Sequence, residues 1–107
     1  MTRTVFNLPE AVVHYQEDGD ADWQVAQLKP MQAEILWAII QANGQVQPAD
    51  EILARVYCHG KPLKSHGALK VHMTMIYRAL ADAGIPKFVS NCYGKGYCIV
   101  GSIEVIE

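Results

Sequence analysis

No apolar run in this 107-residue chain is long enough to span a bilayer, and Met1–Val5 lacks the apolar core of a signal peptide. The default location is therefore the cytoplasm, with no membrane partner. Cysteine is scarce, with Cys58, Cys92 and Cys98 only, and the four histidines add no CxxC or HxxxH spacing that would place two ligands on one metal. No metal or cofactor is expected. The chain also lacks a nucleophile paired with a base and a phosphate-binding loop, so an enzyme is not expected. A bulk excess of positive charge is missing too, since the net charge is −2. By itself that speaks against a nucleic-acid binder.

What is present is a globular composition, with 50% apolar and 19% charged residues, enough for one core in one domain spanning 1–107. The charge is unevenly distributed. Residues 1–28 hold Arg3 against Glu10, Glu17, Asp18, Asp20 and Asp22, a balance of −4. Residues 59–98 hold Lys61, Lys64, Lys70, Arg78, Lys87 and Lys95 against Asp82, a balance of +5. Such a split can focus positive potential on one face even when the total is negative.

In chain order, 4–28 reads as a small antiparallel sheet. Thr4–Phe6 and Ala11–Tyr15 are β-rich, Leu8-Pro9 breaks between them, Glu17-Asp18-Gly19-Asp20 is turn chemistry, and Trp23–Leu28 alternates with period two. Residues 29–84 read as three helices. Pro30 opens the first, with Met31, Ile35, Leu36, Ile39 and Ile40 as its apolar face and Asn43-Gly44 as its stop. Gln45-Val46-Gln47 is an extended link, Pro48 to Val56 a second helix, and Cys58–Pro62 a loop. Residues 85–101 read as a hairpin, Phe88–Tyr93 and Tyr97–Val100 around Gly94-Lys95-Gly96. The tail to Glu107 either adds a strand through Ile103 and Val105 or hangs free. Cys92 and Cys98 can face each other across the hairpin, but in a cytosolic chain reduced, packing thiols are the expectation. Trp23, Trp37 and Phe6 read as packing residues, and Tyr97 as structural, beneath the hairpin.

The organising stretch is Leu63–Gly84. Leu69, Met73, Ile76 and Leu80 draw one helical stripe, Ser65 can cap the first turn, and Gly84 with Ile85-Pro86 supplies the stop. The opposite face carries Lys70, Val71, Thr74, Met75 and Arg78. A helix with one buried stripe and a cationic, polar outer stripe suits a DNA major groove.

This element order resembles the winged-helix effector domain of OmpR/PhoB-type response regulators over roughly residues 4–100. Val71-His72 followed by Ile76, Arg78 and Leu80 is similar to the family's recognition helix, and Gly94-Lys95-Gly96-Tyr97 to its wing signature. Leu28–Leu36 is similar to the approach to its first helix, and Gly44–Val46 with Asp50–Leu53 to the segment into its second. The resemblance implies an α+β winged helix-turn-helix fold. It implies a third helix, about Ser65–Ala83, in the major groove of double-stranded DNA, with the wing tip at Lys95 on the adjacent backbone or minor groove. It further implies that the Tyr57–Lys64 loop can meet RNA polymerase. A module of this size buries only ~600–1,000 Å² on DNA, which favours a homodimer on a repeated or inverted site.

On this basis the candidate DNA contacts are Lys64, Ser65, His66, Lys70, Val71, His72, Thr74, Met75, Arg78, Tyr93 and Lys95. Lys64 and Ser65 can hold a phosphate at the helix N-terminus. His72 either touches the DNA backbone or packs in the core. Met75 offers a thioether to a thymine methyl or to a protein partner, and Tyr93 stacks, pairs with the backbone or packs on the wing. The family's usual arginines are missing, with Met75 and Tyr77 standing on helix three and Tyr93 in the wing where basic residues are common. Lys29 and Pro48 replace the hydroxyl caps of helices one and two. With Met1 as the true start, no phospho-acceptor receiver domain is expected before the sheet. The chain is then expected to be a stand-alone effector regulated by abundance or by a partner. Those departures leave a second reading, a winged-helix interaction module for RNA polymerase or another regulator with weak or no DNA binding.

Overall fold

The computed structural model describes residues 2–19, 21–58 and 60–107. Asp20 of the expected turn and His59 of the expected loop lie outside the described residues.

Three strands come first: β1 (Arg3–Asn7), β2 (Val12–Gln16) and β3 (Gln24–Gln27). They pair antiparallel in sequence, with Val5 opposite His14 and His14 opposite Val25. Period-two alternation sends Phe6, Val13, Tyr15 and Ala26 into the core. The tail does not hang free. Its residues form β8 (Glu104–Ile106), parallel to β1, so the sheet has four strands in the order β3-β2-β1-β8. Arg3 clamps that junction with two hydrogen bonds to the Glu104 carboxylate, at 2.8 and 2.9 Å. Trp23 corrects its expected core placement. It is 40% exposed on the outer side of the sheet, with the Arg3 guanidinium 5.3 Å from its ring and His14 edge-on to it.

The helices are α1 (Pro30–Ile40), α2 (Ala49–Arg55) and α3 (His66–Asp82). Lys29, at the N-cap of α1, makes no side-chain cap; instead Gln32 reaches back to accept from the Lys29 amide at 3.1 Å. The left-handed pair Asn43 and Gly44 ends the α1 turn as expected. The expected loop at 58–62 is in part a two-residue antiparallel ribbon, β4 (Tyr57–Cys58) with β5 (Lys61–Pro62). In α3, Leu69, Met73, Ile76 and Leu80 are all buried, and Ser65 Oγ accepts from the Ala68 amide at 3.1 Å.

The hairpin is β6 (Val89–Cys92) and β7 (Gly96–Ile99), with Tyr97 buried as expected. The link before α2 has more to do than the sequence suggests. Gln47 and Tyr97 exchange two backbone hydrogen bonds, at 2.7 and 3.0 Å, which clips the hairpin to the helices. The Gln47 side chain is buried and donates to the Ala38 carbonyl at 2.9 Å. That carbonyl needs it, because the last turn of α1 tightens and the Ala42 amide donates to Ile39 instead.

Candidate nucleic-acid interface

Helical geometry divides the surface of α3 into a crest and two flanks. On the crest, opposite the buried stripe, stand Val71, Thr74 and Arg78, all exposed, with exposed Lys70 at its edge toward the wing. Thr74 donates its hydroxyl to the Lys70 carbonyl at 3.0 Å, which leaves its oxygen free to accept. Gly67 opens the crest one turn earlier, and a methyl group there would touch only Ser65 Oγ at 3.7 Å.

The flank toward the wing carries His66 and Lys70. With Pro48, Asp50, Asn91, Tyr93 and Lys95 they line a groove of about 530 Å³ between α3 and the hairpin. Tyr93, at the start of the wing turn, is 98% exposed. Gly94 supplies the left-handed turn at φ +72°, and the Lys95 amide closes it on the Cys92 carbonyl at 2.8 Å. Gly96 sits where nothing larger fits, since a Cβ would lie 2.1 Å from the Gln47 carbonyl oxygen. The Gly-Lys-Gly-Tyr run therefore turns the chain, presents a cation, passes against the α2 approach and seats an aromatic in the core.

The other flank faces α1 and carries Met75 and His72. Met75 is half-buried with its sulfur 3.6 Å from the Gln32 amide nitrogen, so its thioether belongs to the packing against α1 rather than to the open crest. His72 is half-buried, and its Nδ1 is enclosed without a hydrogen-bond partner among the described residues. Near the helix start, His66 Nε2 lies 2.6 Å from Asp50 Oδ1 and ties α3 to α2. Ser65 spends its hydroxyl on the cap, while Lys64 is exposed.

Tyr77 explains one missing arginine. It packs against the core with its hydroxyl enclosed, and the Lys87 ammonium sits 4.2 Å from its ring centre. Burial, reinforced by nearby Tyr97 and Cys98, pushes its phenol up to about 12. Among the groove and crest residues, sequence reasoning passed over Pro48, Asp50 and Asn91 in the lining and Gly67 on the crest. Gly67 and Asn91 carry no charge, and the one cue for Gly67 was a glycine within a helix, where it costs about 1 kcal/mol against alanine.

Three antiparallel N-terminal strands joined by a parallel fourth, three helices with a helix-turn-helix and a clipped hairpin beside the third helix define a winged-helix DNA-binding domain. A family model described as "Transcriptional regulatory protein, C terminal" matches residues 24–99. The chain belongs to that family of DNA-binding transcription-regulator domains. Among solved structures it is similar to the DNA-binding domain of Escherichia coli CadC, with a TM-score of 0.64 at 15% identity, over 89% of this chain and 83% of that one. It is also similar to the Klebsiella pneumoniae RstA DNA-binding domain in complex with the RstA box, with a TM-score of 0.55 at 17% identity, over 84% and 91%. Both likenesses establish the fold. No curated protein sequence matches the chain. Among the described residues, no helix is long and apolar enough to cross a membrane, and no cluster of His, Cys, Asp or Glu could hold a metal ion.

Proposed function

We propose that the chain is a sequence-specific double-stranded DNA-binding regulator, a binding domain rather than an enzyme, acting where DNA is accessible in the cytoplasm. The observation that carries this reading is the groove itself. The exposed crest of α3, with Lys70, Val71, Thr74 and Arg78, stands beside a wing tip that projects Tyr93 and Lys95 into solvent. The crest enters the major groove, where Arg78 reads a guanine edge or clamps a phosphate and Thr74 and Val71 read neighbouring edges. Lys70, Lys64 and Lys95 hold the sugar-phosphate backbone, and Tyr93 lies along the adjacent backbone or minor groove. His66, Ser65, Met75 and His72 support the reader and do not read.

Two finer readings accompany it. The β4–β5 ribbon presents Tyr57, 62% exposed, on the Tyr57–Lys64 segment and offers RNA polymerase a contact. Two copies bind a repeated or inverted site, because one module of residues 1–107 buries too little surface for tight binding.

The test selects bound fragments from a random DNA pool, with wild type beside a Lys70→Ala/Arg78→Ala/Lys95→Ala variant. Wild type is expected to enrich a motif that the folded triple variant does not. Its affinity should fall with salt at a log–log slope of about 4, from four or five phosphate contacts. No enrichment, with equal low-salt binding by both proteins, would sink the DNA reading and turn attention to a protein partner on Tyr57–Lys64 or on the acidic sheet.

A further inference from the structure

Cys92 closes β6 and Cys98 lies within β7. The register sets Ser90 opposite Cys98 and Cys92 opposite Gly96. Alternation therefore places both cysteines on one face of the ribbon, while Val89, Tyr97 and Ile99 take the face that joins the core. The two sulfurs are diagonal neighbours, free, hydrogen-bonded and 3.1 Å apart. A sulfur–sulfur bond is about 2.05 Å long, so closure asks for about 1 Å of approach between the two sulfurs. Both side chains are half-buried and within reach of a small solute.

We propose that Cys92 and Cys98 form a reversible intramolecular disulfide that locks the wing, made by exchange with a low-molecular-weight disulfide. The hydrogen bond to Cys92, and then desolvation, hold the Cys98 thiol above its ordinary pKa. Cys92 gives its proton to solvent, its thiolate attacks one sulfur of the small disulfide, and that S–S bond breaks to release one thiolate. The Cys92–Cys98 hydrogen bond is then gone. Cys98 loses its proton and attacks the Cys92 sulfur, expelling the second small thiolate. The two protons end on the two small thiols, so the protein loses two electrons and the small disulfide gains them.

The bond spans the turn that carries Tyr93 and Lys95. Since the sulfurs are already adjacent in this geometry, the cross-link fixes the wing tip where it stands and does not redirect it. For DNA binding, which rests on the function proposed above, the expected gain from a held tip is about threefold in affinity.

The experiment uses the full chain carrying Cys58→Ser, equilibrated with glutathione and glutathione disulfide, then alkylated and weighed. The expected product has lost two hydrogens, carries no glutathione and returns to the starting mass with dithiothreitol. Trypsin cuts after Lys95 between the two cysteines, so the bond should hold the flanking peptides together. Tyr93–Gly96 amides should exchange more slowly in the oxidised form. Cys98→Ser should instead retain glutathione on Cys92. Persistent glutathione on either thiol of the Cys58→Ser chain, covalent dimers, or thiols left free in an oxidising mixture would overturn the proposal. So would a cross-linked chain whose tip amides exchange unchanged. If neither form binds DNA, the DNA reading falls, while mass and exchange still decide the disulfide.

Discussion

The N-terminal sheet and the wing are attached to the helices in different ways. The N-terminal sheet is held by area: four strands, with Phe6, Val13, Tyr15 and Ala26 sunk into the helices, so that its attachment is spread over many side chains. The wing has two strands of four residues; it buries Val89 and Tyr97, and a backbone clip adds to that smaller area, with Gln47 pairing Tyr97 and Gly96 leaving the space for it. A structure held by area loses a little with each substitution. One that adds a clip to a small area is more sensitive to the atoms at the clip. The difference suits a platform on one side and a probe on the other, because the probe's tip stays free of packing.

The sharpest way to break that contrast is Gly96→Ala. The added methyl would stand 2.1 Å from the Gln47 carbonyl oxygen and 2.8 Å from Pro48 Cα, both backbone, at φ +141°. Since nothing flexible can yield, we expect a loss of about 3 kcal/mol or more in urea unfolding, with exchange protection lost first in β6, β7 and the Gln47 amide. Gly94→Ala is the control, with the same residue type two positions away in open space. It meets only the left-handed penalty at φ +72°, about 1–2 kcal/mol, and leaves the clip intact. Equal losses at the two glycines would mean that the clip carries no special weight.

Next in size is Gln47→Ala, which keeps the backbone pairing and removes the amide that serves Ala38. The stranded carbonyl should cost about 1–3 kcal/mol, read by chemical denaturation, and destabilise the end of α1 more than the wing. If the loss instead appears in the β6–β7 amides alone, the side chain belongs to the wing and not to the helix end.

These residues also show what the sequence discloses. The α3 stripe, its Ser65 cap and the Gly94–Gly96 turn were legible because each is a local pattern in which neighbours along the chain are neighbours in space. Gln47 reads only as part of an extended link because its partners, Ala38 and Tyr97, come from two other elements. The parallel pairing of β8 with β1 joins opposite ends of the chain, and no turn between them announces it. Met75 and Val71 both fall outside the buried stripe, and periodicity alone could not say that Gln32 of α1 would cover one and leave the other 60% exposed. Charge marked Lys70, Arg78 and Lys95 as candidates, while uncharged Gly67 and Asn91 gave no such mark.

The smallest expected effect lies on the sheet side, at the Arg3–Glu104 pair that joins β1 to β8. Both side chains are about half exposed, so the pair is screened by water and salt, and its removal should be mild. Its sign with pH is nonetheless fixed. The hydrogen bond from Arg3, with its charge, holds the Glu104 carboxyl below the ordinary 4.5. The stabilisation is therefore whole above that ordinary value and disappears as pH falls through the lowered one. Glu104→Gln should melt slightly below wild type at neutral pH and low salt, with the gap closing as acid protonates the wild-type carboxyl or as salt is raised. Exchange at the β1–β8 amides should rise while the wing amides stay unchanged. A gap that widens in acid would show that Glu104 is held by something other than Arg3, and a response in the wing would show that the sheet and the wing are coupled rather than independent.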